Sequence, residues 1–230
     1  MATPRAQLRF AEAVSATLAQ STRSGFFFGF DGTIAPIMPD PGAVFPVAGT
    51  VERLRALATL VGRVAVVSAR PAAFLYDRFS RAPQVRLFGL YGMQTVEDGH
   101  VRTDAEAEPW APVIRRVAEE AARDLPGGIL VEDKALAVAL HYRAAPSLRG
   151  AVERWASRKA AELGLKEQYG RMVVELKPPL ERDKGTVVAR ESESLARAAD
   201  FTVGSPQGTP ALLDQVISAF PGTRAGSYPG

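Results

Sequence analysis

The chain has 230 residues, enough for a full hydrophobic core and for either one large domain or a core with a smaller module inserted into it. Hydrophobic residues make up 47% and charged residues 23%, ordinary for a globular protein, and the net charge of +3 comes without a Lys/Arg run or basic-aromatic interleaving, which argues against nucleic acid as a partner. There is no cysteine and there are only two histidines, His100 and His141, so disulfides, thiolate nucleophiles, Cys-ligated metals and His-rich metal sites are excluded.

The opening "MATPRAQLRFAEAVSATLAQ" lacks a continuous apolar stretch and reads as an amphipathic helix rather than a signal peptide. No run approaches the roughly 18 apolar residues of a membrane span, so the expectation is a cytoplasmic protein without membrane contact. The first strand is expected over 25–30, followed by a helix over 47–61 with Val51, Leu54, Leu57 and Leu60 at every third position. "RVAVVSAR" gives a second buried strand over 63–67, ending at Ser68, and "PAAFLYDRF" a helix with Pro71 near its first turn, where a missing N–H costs little. "VRLFGLYG" gives a third strand. This β-α-β-α-β order predicts a parallel sheet covered by helices, with ligands bound beyond the carboxyl ends of the strands. Asp31 and Ser68 both stand just past such an end.

The rhythm then changes. "MQTVEDGHVRT" alternates about Asp98-Gly99, a type I′ hairpin signal. "EPWAPVIRRVAEEAARDLPGG" predicts a helix with Trp110, Val113, Ile114, Val117 and Ala121 on one face, stopped by Pro126-Gly127-Gly128. "ILVEDKALAVALHYR" reads as two strands, "SLRGAVERWASRKAAELG" as a helix closed by Gly164, and "RMVVELKP" as a strand. The region 104–178 is therefore expected to be a compact α/β insert of strand-helix-strand-strand-helix-strand, inside a core made of 1–103 and 179–230. After "PPLERDKG" the first rhythm returns, with a helix over 184–199, a strand over 201–203 and a helix over 209–220. The final "PGTRAGSYPG" is rich in Gly and Pro and is expected to fray.

Taken in order, "FFFGFDGTIAPI", "VAVVSARP", "GLYGMQ", "VEDKALAVALHYR" and "VVELKPPLERDKG" resemble the landmarks of the trehalose-6-phosphate phosphatases. These belong to the haloacid-dehalogenase-like (HAD) superfamily. The resemblance covers about 22–220, and its more family-specific part is the stretch from Glu132 to Arg143. It implies a HAD-like α/β Rossmannoid core with a parallel sheet and an inserted α/β cap.

The resemblance also exposes what is missing. Family members carry Asp-x-Asp-Gly-Thr at the first strand end, the first Asp attacking phosphorus and the second moving protons. In-line attack on a phosphate monoester needs that nucleophile. Here the first position is Gly29, which has no side chain, while Asp31 keeps the acid/base position as a vestige. The resemblance gives Ser68 and Lys184 to a bound phosphate, with Arg70 as added charge nearby. Ser68 also reads as an N-cap for the helix near Pro71, and the two roles are compatible. The fourth family motif supplies acidic ligands for Mg²⁺, a hard cation that takes oxygen donors. This chain has "VGSPQGTP" there, with no carboxylate; Asp214 lies inside the following helix and Asp200 at the wrong strand end. The expectation is no cofactor, because the Mg²⁺ ligands are gone.

In the insert, the resemblance gives Glu132, Lys134 and Glu175 to sugar hydroxyls, where a charged group can bridge adjacent hydroxyls; alternating charges on a solvated strand face are the plainer reading. The family has His and Glu where Tyr91 and Gln94 stand, so sugar recognition is expected to be altered. The leading expectation is a catalytically inactive relative that binds a sugar phosphate without Mg²⁺. Two others stay open: a regulatory or structural partner of a trehalose-pathway enzyme, and a working phosphatase with an atypical site.

Overall fold

The structure, a computed structural model, describes residues 12, 14–38, 40–184, 187 and 206–223. The expected strand over 201–203, Gly204, and the expected helix over 184–199 apart from helical Lys184 and Val187, lie outside the described residues, as does the Gly/Pro-rich end beyond 223. Contacts divide the chain into two compact units, Met1–Val101 with Asp183–Gly230, and Arg102–Arg182.

The first unit is built on a sheet of order β1-β2-β3-β4-β5, with β1 Gly25–Gly29, β2 Arg63–Val67, β3 Arg86–Gly89, β4 Gln94–Glu97 and β5 His100–Thr103, the unit boundary falling within β5 after Val101. β1, β2 and β3 are parallel, and β4 turns back antiparallel to β3. The parallel part follows from the sequence: β2 is an unbroken apolar run with Val64, Ala65, Val66 and Val67 all buried, the pattern of a strand covered on both faces. The β4–β5 turn has positive φ at both Asp98 (49°) and Gly99 (76°), as a type I′ hairpin requires.

Helix α1 (Thr50–Ala58) follows β1 and α2 (Ala72–Phe79) follows β2. α1 is shorter than its apolar period suggests. The Val47 N–H is taken by the Ile34 carbonyl, and Gly49 is left-handed (φ 76°), so the helix starts only at Thr50. Leu54 and Leu57 are fully buried on its inner face. α5 (Thr209–Ser218) packs against α1, and Arg53 on α1 grips Asp214 on α5 through two hydrogen bonds of 2.9 Å each. Phe30, just past β1, sits in the core edge-on to Phe74 (5.6 Å between centroids) and Phe79 (6.4 Å). The site loop that begins at Asp31 is thereby anchored by its own preceding residue.

The second unit contains α3 (Ala111–Asp124), β6 (Leu130–Asp133), β7 (Val138–His141), α4 (Arg149–Leu163), β8 (Lys166–Gly170) and β9 (Val173–Lys177). Its sheet is antiparallel with order β6-β7-β9-β8. Ile114, Val117 and Ala121 of α3 and Val152, Trp155 and Ala156 of α4 bury one sheet face, formed by Val138, Leu140, Val174 and Leu176. The order of elements corrects the sequence expectation: the unit runs helix-strand-strand-helix-strand-strand. β8 was not expected. Its sequence, KEQYG, is polar because it is an edge strand, where charged residues are tolerated and discourage further pairing. Among the described residues no helix is long and apolar enough to cross a membrane.

Candidate functional site

At the carboxyl end of β1 the chain folds into a tight turn. The Phe30 carbonyl accepts the N–H groups of Thr33, Ile34 and Ala35, and Gly32 takes φ 74°, a conformation open mainly to glycine. This turn presents Asp31 to Arg70, which lies just after β2. The Arg70 Nε donates to Asp31 Oδ2 at 2.9 Å and Nη2 to Oδ1 at 2.7 Å, a bidentate fork. The third guanidinium nitrogen, Nη1, donates to the Pro41 carbonyl at 2.7 Å, and the group lies 4.6 Å from the Phe74 ring centre. Arg70 therefore does more than add charge nearby: it holds the Asp31 carboxylate in a fixed plane. Sequence reading missed this grip, since a separation of 39 residues leaves no local signal.

Ser68 is 2% exposed at the end of β2. Its Oγ accepts the Arg70 N–H at 3.1 Å, which orients the Arg70 backbone while leaving the hydroxyl proton for another acceptor. Ser68 is not the helix cap. The cap position of α2 is Pro71, without a side-chain cap bond, and the Ala72 N–H is satisfied by Gln94 Oε1 at 3.1 Å. Gln94 is carried to that point by a left-handed turn at Leu90 (φ 49°) and Tyr91 (φ 58°). Gln94→Leu is expected to strand the Ala72 donor and cost about 1–2 kcal/mol, whereas Gln94→Glu keeps an acceptor and costs less. Urea denaturation of the two variants checks this ranking.

Gly29 closes β1. Its φ is not in the left-handed region, so the backbone does not demand glycine. A Cβ placed on it would stand 2.9 Å from Lys184 Nζ and 2.9 Å from Thr33 Oγ1. The ammonium and the hydroxyl thus converge on the volume that a nucleophile's side chain would occupy. The ammonium is the far end of a flexible side chain and can retreat, whereas the Thr33 hydroxyl, one bond from a Cβ that is itself 3.6 Å away, can give way only by turning χ1.

The donor set does not fit the Mg²⁺ that the resemblance implies. Gly29 offers no side-chain oxygen, and residues 206–210, Pro-Gln-Gly-Thr-Pro, contain no carboxylate. Thr209 Oγ1 donates to the Thr33 carbonyl at 2.6 Å, and Asp214 is engaged by Arg53. Among the described residues no group of three His, Asp or Glu side chains is placed to hold a metal ion. Asp200 lies outside the described residues.

In the second unit the three expected sugar-contacting residues come together on the sheet face opposite the helices. Glu132 on β6 pairs in register with Ala139 on β7, and Ala139 with Glu175 on β9. The two carboxylates therefore stand in one row with a small residue between them. Lys134 Nζ lies 3.3 Å from Glu175 Oε1 and 3.9 Å from Glu132 Oε2. His141, which sequence reading did not single out as a site residue, reaches Glu132 Oε2 from Nε2 at 2.9 Å. Glu175 (6% exposed) and Lys134 (9%) are buried, so the solvated-face reading fails for them. On the neighbouring positions Lys177 donates to Gln168 Oε1 at 2.6 Å, extending the polar row to β8.

The sequence profile of the trehalose-phosphatase family matches residues 27–207. A trehalose-phosphate phosphatase of Mycobacterium avium (strain 104) is 36% identical over 214 residues, covering 89% of this chain and 52% of its own length. That of Mycobacterium leprae (strain TN) is 35% identical over 198 residues, covering 84% and 45%. The chain thus spans about half the length of the curated relatives it matches. Among solved structures, the C-terminal domain of C. albicans trehalose-6-phosphate phosphatase superposes with a TM-score of 0.64 at 19% identity, over 94% of this chain and 84% of that one. That likeness concerns the fold.

Proposed function

The chain belongs to the trehalose-phosphatase family, and from that premise we propose that it is a catalytically inactive member that binds a phosphorylated sugar without Mg²⁺. The observation that carries this reading is Gly29. The place of the attacking carboxylate holds no side chain, and the Lys184 ammonium and Thr33 hydroxyl point into it. A phosphoryl group could find donors there but no nucleophile in line. Ser68 and Lys184 would hold the phosphate, and Glu132, Lys134 and Glu175 the sugar hydroxyls. Two electrostatic changes oppose each other: loss of the carboxylates removes repulsion of phosphate, and loss of the metal removes attraction.

Thermal unfolding with trehalose 6-phosphate, with and without Mg²⁺, tests the proposal. The expected result is a saturable rise in Tm that is the same in both conditions and is lost in Lys184→Met. A shift that requires Mg²⁺ would overturn the metal-independent reading. Absence of any shift with sugar phosphates would favour a second reading, a regulatory or structural partner of a trehalose-pathway enzyme. The exposed Ile37 (65%) and Phe45 (61%) in the segment after Asp31 are the observation on its side. Steady phosphate release that disappears in Asp31→Asn would instead establish a working phosphatase with an atypical site.

A further inference from the structure

His141 ends β7 on the face that the helices do not cover. Alternate residues of a strand share a face, so His141 stands with Ala139, while Val138 and Leu140 turn to the helical side. Glu132 lies in register with Ala139, and the imidazole reaches it diagonally, Nε2 to Oε2 at 2.9 Å. Lys134 Nζ is 3.9 Å from that oxygen, too far for a hydrogen bond, and leans to Glu175 Oε1 at 3.3 Å. The imidazole and the Glu132 carboxylate are 25% and 28% exposed, sheltered enough to keep their bond and open enough for a ligand to reach.

Chemistry fixes the direction of the bond. An ionised carboxylate only accepts, so His141 Nε2 carries the hydrogen and donates it to Glu132. A carboxylate that reads a hydroxyl must stand at one place and in one plane. If the ligand itself has to order that side chain, the lost rotamer freedom is subtracted from the affinity. A donor fixed on the neighbouring strand orders it beforehand.

We propose that His141 is a positioning residue for sugar recognition: through Nε2–H it fixes Glu132 in the orientation in which that carboxylate accepts from a sugar hydroxyl. This role rests on the reading of Glu132, Lys134 and Glu175 as the sugar contacts, and it adds the residue that orients one of them.

Calorimetric titration of the full chain with trehalose 6-phosphate, beside inorganic phosphate as the sugar-free probe, tests the role. His141→Leu is expected to weaken trehalose 6-phosphate binding about tenfold and to leave the Kd for phosphate unchanged. His141→Gln, whose amide nitrogen stands about where Nε2 does, is expected to restore most of the loss. His141→Asn, polar but too short to reach Glu132, is expected to behave like the Leu variant and replaces it should that variant not fold. An unchanged affinity in His141→Leu and His141→Asn overturns the role while leaving the sugar reading intact. So does a loss that Gln does not rescue, or an equal loss for phosphate, which marks a general structural defect. Trehalose 6-phosphate binding no tighter than phosphate in the original chain overturns the sugar reading and the role together. The contact has its own readout in ¹⁵N spectra at about pH 8.5, above the range in which free imidazole titrates. With only two histidines, the His141→Gln spectrum assigns the signals. His141 is expected to carry its hydrogen on Nε2 and to shift in Glu132→Gln; a hydrogen on Nδ1 alone overturns the role whatever the titrations give.

Discussion

In Gly29→Asp, phosphate release from trehalose 6-phosphate is expected to remain at the level of a protein-free control, although the variant folds. Folding is expected because a Cβ at Gly29 meets no backbone atom among its nearest contacts, because Lys184 Nζ can swing away and Thr33 Oγ1 can turn about χ1, and because the backbone there is not left-handed. The introduced carboxylate can pair with Lys184, which is exposed, so the net stability change should stay within about 1 kcal/mol. Activity is not expected because the nucleophile is one member of a unit. Loss of a single member of such a unit can cost about a millionfold, and restoring one member of a unit that lacks another returns little. The other member lacking is the set of oxygen donors that would neutralise the transferring phosphoryl group, since 206–210 carry no carboxylate and Asp214 is held by Arg53. A colorimetric phosphate assay run over hours with Mg²⁺, paired with a thermal melt, decides the matter. Steady turnover in Gly29→Asp, lost again when Asp31→Asn is added, would show that the donor argument is wrong and that one substitution separates this chain from an active phosphatase.

What the sequence discloses about this fold depends on how local each signal is. β1 to β3 are legible because buried parallel strands appear as short apolar runs between helical periods, and the hairpin is legible because Asp98-Gly99 suits two successive positive φ values. β8 is not legible. Lys166, Glu167 and Gln168 become a strand only because β9 offers them an edge, a contact made after the chain has turned back. The candidate site divides in the same way. Gly29, Asp31, Ser68 and Lys184 are found by their places in ordered motifs. Their relations are not: the Arg70 fork, the Gln94 bond to α2, and the approach of Lys184 to Gly29 join segments that only the sheet brings together. In the second unit, Glu132 and Glu175 are 43 positions apart, and it is the register through Ala139 that sets them in one row.

Lys134→Met is expected to destabilise the protein by about 3 kcal/mol, and the double variant Lys134→Met with Glu175→Leu is expected to recover most of that loss. The single change leaves Glu175, 6% exposed, without its ammonium partner at 3.3 Å, and removing one member of a buried ion pair is far costlier than the pair's own net worth. It also leaves the Glu132 carboxylate, 3.9 Å from the same ammonium, without that compensation. Glu175→Leu alone should cost less, since Lys134 keeps Glu132 within reach and Glu132 keeps its bond to His141. In the double variant two apolar side chains replace a desolvated pair, a change that is often neutral or stabilising. Denaturant midpoints for the four proteins, with unchanged m-values, give the coupling between the two residues directly. A double variant no more stable than Lys134→Met would mean that packing of the lysine stem, and not its charge, holds this face together. If the double variant is as stable as the original chain yet gives no Tm shift with trehalose 6-phosphate, then stability does not require the Lys134–Glu175 pair. Its place on the sheet is then explained by recognition of sugar hydroxyls, which need charged groups at fixed positions and which two apolar side chains cannot serve.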